Sequence, residues 1–217
     1  MENVPHIVSL LTAPWCSWTM LVLLLFAALS EWLQPGVITQ SYESLKVHTD
    51  RVYKDAPTSI MAQILITLFR IGTVAMTLCL WLCPDQELSF AAYILVCSVV
   101  FGFLSLKMLF NVLIDYTFQF SRQYGDAYEH YSNIFTLVSA ALYPLTPVFL
   151  HVGSSLAAKW LMVGAAALFL LLWIYRSVHQ FVRKPIALLY LLAYLLTLDV
   201  LPMTGMVLLS AKLISVI

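Results

Sequence analysis

The chain has 217 residues, of which 62 % are hydrophobic and only 10 % charged, and its formal net charge is zero. A soluble domain carries about 25 % charged residues, so this deficit, with a mean hydropathy of +0.90, excludes a chain that faces water over most of its surface. The balanced charge gives no footing for nucleic acid or for an acidic substrate.

Apolar runs of about 20 residues have the length that crosses a bilayer core, and only helices satisfy their own backbone polar groups inside such runs. The sequence offers six of them. The expected fold class is therefore all-α: a polytopic helical membrane protein with six transmembrane helices, one membrane domain over residues 1–217 and no soluble domain. The first span is expected over Trp15–Leu33, started at Pro14 and stopped by Pro35-Gly36. Met1–Pro14 has no Lys or Arg and the run behind it is long for a signal peptide, so this segment reads as a retained span. Between residues 35 and 59, Ile38, Tyr42, Leu45 and Val52 recur near helical spacing, and Asp50 stands four before Lys54. This loop reads either as an interfacial helix over Ile38–Lys54 or as an ordinary structured connector.

The second span is expected over Ile60–Leu82, behind Pro57-Thr58-Ser59, and the third over Leu88–Tyr116. A loop over Thr117–Ser132 follows, rich in aromatic residues (Phe118, Phe120, Tyr124, Tyr128, Tyr131) that would rest on headgroups or on a partner. The remaining spans are expected over Ile134–Val152, Leu156–Tyr175 and Ile186–Lys212. Tryptophans near the span ends fit the preference of indole for the membrane interface. The loops after spans one, three and five hold seven basic residues (Lys46, Arg51, Lys54, Arg122, Arg176, Arg183, Lys184), against Lys159 and Lys212 on the other side. The positive-inside rule then places those loops in the cytoplasm and both termini outside it.

Charge inside a span is costly and tends to mark function. Arg70 stands ten residues into the second span and Asp199 thirteen into the sixth, about 15 Å and 20 Å from the same side at 1.5 Å per residue. The candidate polar site is Arg70, Asp199, Lys107, Asn111, Asp115, Gln63 and Thr67. Three readings stand open for the Arg70–Asp199 set: a structural ion pair, a substrate or proton site, or no direct pairing. Pro144 and Pro147 in span four and Pro202 in span six are expected helix breaks, since each proline removes an N–H and frees a carbonyl. No HExxH, GxSxG, glycine-rich phosphate loop or GxGxxG occurs, so no catalytic residue is assigned. Cys16, Cys79, Cys83 and Cys97 lie in apolar segments and read as buried thiols, and the spacing of the histidines suggests no ligation. No metal or cofactor is expected.

The run Leu189–Pro202, with Tyr194, Thr197, Leu198, Asp199 and Pro202, resembles the C-terminal signature of an uncharacterised family of multi-pass membrane proteins of Bacteroidetes bacteria. The proline-containing run around Pro144 and Pro147 is similar to the same family. The resemblance implies an inner-membrane location and supplies no activity. The expected role is that of a non-enzymatic subunit or assembly partner, with a membrane-protein partner or a second copy of the chain. The alternative is a small-solute or proton-linked transporter, and an intramembrane enzyme is the least supported reading.

Overall fold

The computed structural model describes residues 14–43, 59–82, 89–118, 123–152, 160, 163–172, 174–175 and 201–214. Apart from the turn over 34–36 and the caps Ser59 and Ser89 these are helical, with no strand among them. In chain order the helices are α1 (Pro14–Leu33), α2 (Val37–Glu43), α3 (Ile60–Leu82), α4 (Phe90–Phe118), α5 (Gln123–Val152), α6 (Val163–Leu172) and α7 (Leu201–Ile214). Among the described residues three helices are long and apolar enough to cross a membrane: Trp15–Leu33, Ile60–Leu82 and Phe90–Phe110.

The ends of these helices have local causes. Ser59 and Ser89 are N-caps: their hydroxyls accept the backbone N–H of Ala62 (3.4 Å) and Ala92 (3.1 Å), so two otherwise orphaned donors are satisfied. After α1 the chain turns at Gly36, whose φ of +91° lies in the left-handed region that glycine adopts without penalty. Glu31 fixes this turn. Its carboxylate accepts the N–H of Gly36 at 2.6 Å and of Ile38 at 3.3 Å, and so caps the start of α2.

α3 is the central helix, buried on every side from Phe69 to Cys79. A helix that is apolar all round belongs at the middle of a bundle, and α1, α4 and α5 pack around it. One core cluster joins Val74, Ala75, Leu78, Tyr93, Val96, Ile134 and Phe135, and a smaller one joins Leu23, Val37, Ile66 and Phe69. The closest approach is at Gly72, where a Cβ would collide with Leu23 of α1 and crowd the Tyr93 hydroxyl of α4. Tyr93 donates to the Gly72 carbonyl at 3.4 Å, a contact that the bare backbone allows.

The helices at Pro14 and Ile60 begin within one residue of expectation. The stretch expected as an aromatic loop over Thr117–Ser132 differs. α4 runs on to Phe118, and α5 starts at Gln123 and carries Tyr124, Tyr128 and Tyr131 as helical residues. The reason is packing: Tyr131 is buried, stacked on Phe135 (6.3 Å between centroids) and edge-on to Phe169 of α6 (5.2 Å). Helical structure over Val37–Glu43 covers the start of the expected interfacial helix, whose remainder lies outside the described residues, as does Ile186–Val200 of the sixth span. α5 continues through Pro144 and Pro147, both exposed, without ending at either. Pro202 is a helical residue of α7.

Candidate functional site

The polar residues of the interior gather along the seam between α3 and α5. Arg70 of α3 is buried, 7 % exposed, and its Nη1 donates to the Ser132 hydroxyl of α5 at 2.6 Å. Further along, the hydroxyls of Thr77 and Thr146 meet at 3.4 Å, while each also donates to the carbonyl four residues back in its own helix. Both contacts advance in the same direction, so α3 and α5 run parallel.

This register locates the Arg70 charge. With Thr77 opposite Thr146, the Arg70 backbone lies near the level of Ser139, seven residues before Thr146. Its guanidinium nevertheless reaches Ser132, seven residues lower on α5, about 10 Å at 1.5 Å per residue. Side chains on a helix lean toward its N-terminus, and an arginine stem is long enough to carry its head far from its Cα. At this level α5 also meets α2: the Ser41 hydroxyl donates to Asn133 Oδ1 at 3.4 Å. The guanidinium therefore lies toward the end of the bundle where α1 stops and α2 begins.

Lys107 reaches the same level of α5 from another helix. It is 5 % exposed, and its Nζ stands 3.3 Å from the centroid of the Tyr131 ring, a cation–π geometry. α4 runs antiparallel to α3, since Tyr93 lies beside Gly72 while Lys107 lies beside Tyr131. Lysine and arginine thus end on consecutive residues of α5, Tyr131 and Ser132. Helix periodicity did not show this, because the two cations belong to different spans.

Of the other residues singled out in the sequence, Gln63 is exposed and Thr67 is half-buried, its hydroxyl donating to the Gln63 carbonyl at 2.7 Å. Neither joins the Arg70 contact with Ser132. Asn111 and Asp115 lie on α4, with side chains outside the described residues, and Asp199 is outside them altogether. Sequence reasoning missed Ser132 as a cation partner, and missed Ser30, whose buried hydroxyl donates to the Ala62 carbonyl at 3.0 Å and ties α1 to α3. A lone serine in an apolar run was the available signal. Among the described residues no group of three or more His, Cys, Asp or Glu could hold a metal ion.

A groove of about 530 Å³ lies between α1, α3 and α4, lined by Trp15, Trp18, Phe26, Ile71, Gly72 and Tyr93 among others. Its lining carries no ionisable group except the Tyr93 phenol and the Cys97 thiol. Large apolar side chains remain exposed on α1 (Trp18, Leu21, Leu24) and α4 (Phe101, Leu106, Leu109, Val112).

Neither the curated proteins nor the solved structures yield a match to this chain. A family model does match, over residues 16–208, which takes in the bundle, the polar seam and the groove. On that match the chain belongs to the family described as Domain of unknown function (DUF4271).

Proposed function

We propose that the chain is an integral inner-membrane protein of six spans, with both termini outside the cytoplasm, that acts as a non-enzymatic subunit or assembly partner of a membrane complex. The observation that carries this reading is the use of the interior polar groups. Arg70, Ser30, Thr77, Thr146 and Lys107 each contact a neighbouring helix, as polar side chains do when they hold transmembrane helices together. The described groove is apolar, and α1 and α4 present large apolar residues outward. Such a surface suits lipid and further helices better than a polar solute. The likeness to the Bacteroidetes family, carried by Tyr194, Thr197, Asp199 and Pro202, supports the inner-membrane location.

The test is extraction in a gentle detergent followed by mass spectrometry of the intact assembly. The reading expects a stoichiometric membrane-protein partner or a defined homo-oligomer. A monomer without a partner, combined with solute or proton flux in proteoliposomes, would overturn it in favour of transport. That second reading is favoured by one observation, the burial of two basic side chains, Arg70 and Lys107, at one level of α5.

A further inference from the structure

The groove between α1, α3 and α4 has little hydrogen-bonding capacity left in its walls. The Thr19 hydroxyl donates to the Trp15 carbonyl at 2.7 Å, and the Tyr93 hydroxyl to the Gly72 carbonyl at 3.4 Å. The Cys97 thiol is hydrogen-bonded to the Tyr93 side chain. What remains is hydrocarbon and aromatic ring, apart from the indole N–H groups of Trp15 and Trp18. A polar molecule moved into such a groove would leave its own donors and acceptors unmatched, so the occupant these walls accept is hydrocarbon.

Its dimensions narrow the choice further. α1 runs antiparallel to α3, since Leu23 meets Gly72 while Ser30 meets Ala62, and α4 does the same, so α1 and α4 are parallel. Trp15 packs on Phe90 and Tyr93, at 5.6 and 5.8 Å between ring centroids. The groove therefore opens where α1 and α4 begin, at a tryptophan level of the kind that marks the membrane interface. Phe26, at its far end, stands about 16 Å from Trp15 along α1 at 1.5 Å per residue. That is the depth of one leaflet, half of a hydrocarbon core of about 30 Å. A volume of about 530 Å³ over this length is a channel about 6–7 Å across, whereas a helix with its side chains needs about 10–12 Å. The walls of such a channel come to roughly 330 Å², well short of the about 800 Å² per partner that a stable protein interface buries. A helix can lie across the opening but cannot fill the groove.

We propose that this groove binds one acyl chain of a phospholipid from the leaflet on the Trp15 side, laid along α1 from Trp15 to Phe26 and over the Gly72 backbone. Leaving the bilayer for the groove gains the chain little by the hydrophobic effect, because both surroundings are apolar. Van der Waals contact with aromatic walls holds it instead, and Trp15 is already braced against Phe90 and Tyr93. The proposal rests on α1, α3 and α4 being membrane spans and is independent of any protein partner, so its test is separate from the search for one.

The experiment uses the full chain in maltoside micelles, washed free of lipid. Dipalmitoyl phosphatidylcholine and dioctanoyl phosphatidylcholine, which share a headgroup, are added separately, and retention is read by native mass spectrometry. One dipalmitoyl lipid per chain is expected to be retained, at least about tenfold better than the dioctanoyl lipid, whose shorter chains forgo the contacts at the Phe26 end. Val22→Trp and Ile94→Trp each put a ring into the groove from a lining position that is partly exposed, 39 % and 47 %. Each is expected to cut retention at least about tenfold, and either serves if the other does not fold. Leu24→Trp, exposed on α1 outside the groove, should leave retention unchanged. Retention that survives both ring substitutions, or that falls as far with Leu24→Trp, overturns the proposal. So does a dimer that holds no lipid and comes apart in Val22→Trp, which would give the groove to a second copy of the chain.

Discussion

Gly72→Ala is a small change with a sign that depends on one neighbour. In a helix interior, alanine in place of glycine is favourable by about 1 kcal/mol. At position 72 the new methyl would collide with Leu23, which is 3 % exposed, and crowd the Tyr93 hydroxyl. Overpacking of this kind costs about 1–3 kcal/mol, so the net expectation is a loss of about 0–2 kcal/mol. Leu23→Ala removes the colliding side chain and costs up to about 2–5 kcal/mol on its own, less where the site opens to lipid. In that background Gly72→Ala should turn neutral or favourable. The four proteins of the cycle can be compared by reversible unfolding with SDS from mixed micelles. A coupling of at least about 1 kcal/mol is expected, as found for residues in contact. Stabilisation by Gly72→Ala alone, or additive effects of the two changes, would show that α1 and α3 do not approach closely at Gly72.

Removing the buried Ser30 hydroxyl, which donates to the Ala62 carbonyl, should destabilise by about 0.6 kcal/mol, the average for an interhelical hydrogen bond in a membrane; SDS unfolding of Ser30→Ala measures it. On the six-span reading, both termini should be labelled from outside by an impermeant thiol reagent after cysteine substitution, and a protected C-terminus would mean that the span count is wrong. If Arg70 and Asp199 form a structural pair, Asp199→Ala should be the worse single change, because a guanidinium cannot shed its charge. Arg70→Met with Asp199→Leu should then restore detergent-resistant folded protein, whereas additive single effects would show that the two residues do not meet. Glu31→Gln should loosen the turn into α2 by about 0.5–2 kcal/mol, as loss of a helix cap does; faster amide hydrogen exchange at Gly36 and Ile38 is the readout.

The helices α1 and α3 were legible because hydropathy and capping agree there. Pro14 suits a first turn, Ser59 supplies a cap, and an unbroken apolar run follows each. The central place of α3 follows from its lack of a polar face, apart from isolated hydroxyls and Arg70. The first turns of α5 were not legible by hydropathy, because Gln123, Asp126, Glu129 and His130 read as loop. A different signal was present. Tyr124, Tyr128, Tyr131 and Phe135 recur at four, seven and eleven residues, the stripe of a helix face. Hydropathy finds the part of a helix inside the bilayer, whereas periodicity also finds the part that projects from it. The Ser30, Ser132 and Asn133 contacts were illegible for another reason: a single hydroxyl or amide carries no partner information until the neighbouring helix is in register.

The placement of Arg70 shows how depth should be counted in such a chain. Counting from the helix start locates a Cα, and puts Arg70 about 15 Å inside its span. Its charge is elsewhere, at Ser132, some two turns nearer the end of the bundle. The displacement has a fixed sense, because side chains lean toward the N-terminus of their own helix. On α3 that sense leads toward α2, whereas on antiparallel α4 it leads the opposite way. Arg70 and Lys107 therefore move toward each other from different backbone levels and finish beside Ser132 and Tyr131. For two long side chains on antiparallel spans, equal Cα depth separates the charges, and unequal depth can bring them together. On parallel spans the shifts cancel, and equal depth is the correct criterion only when the side chains are of equal length. Arginine and aspartate are not. A carboxylate that meets Arg70 at its observed position must stand near the level of Ser132, and the double substitution at positions 70 and 199 is accordingly a test of level as well as of pairing.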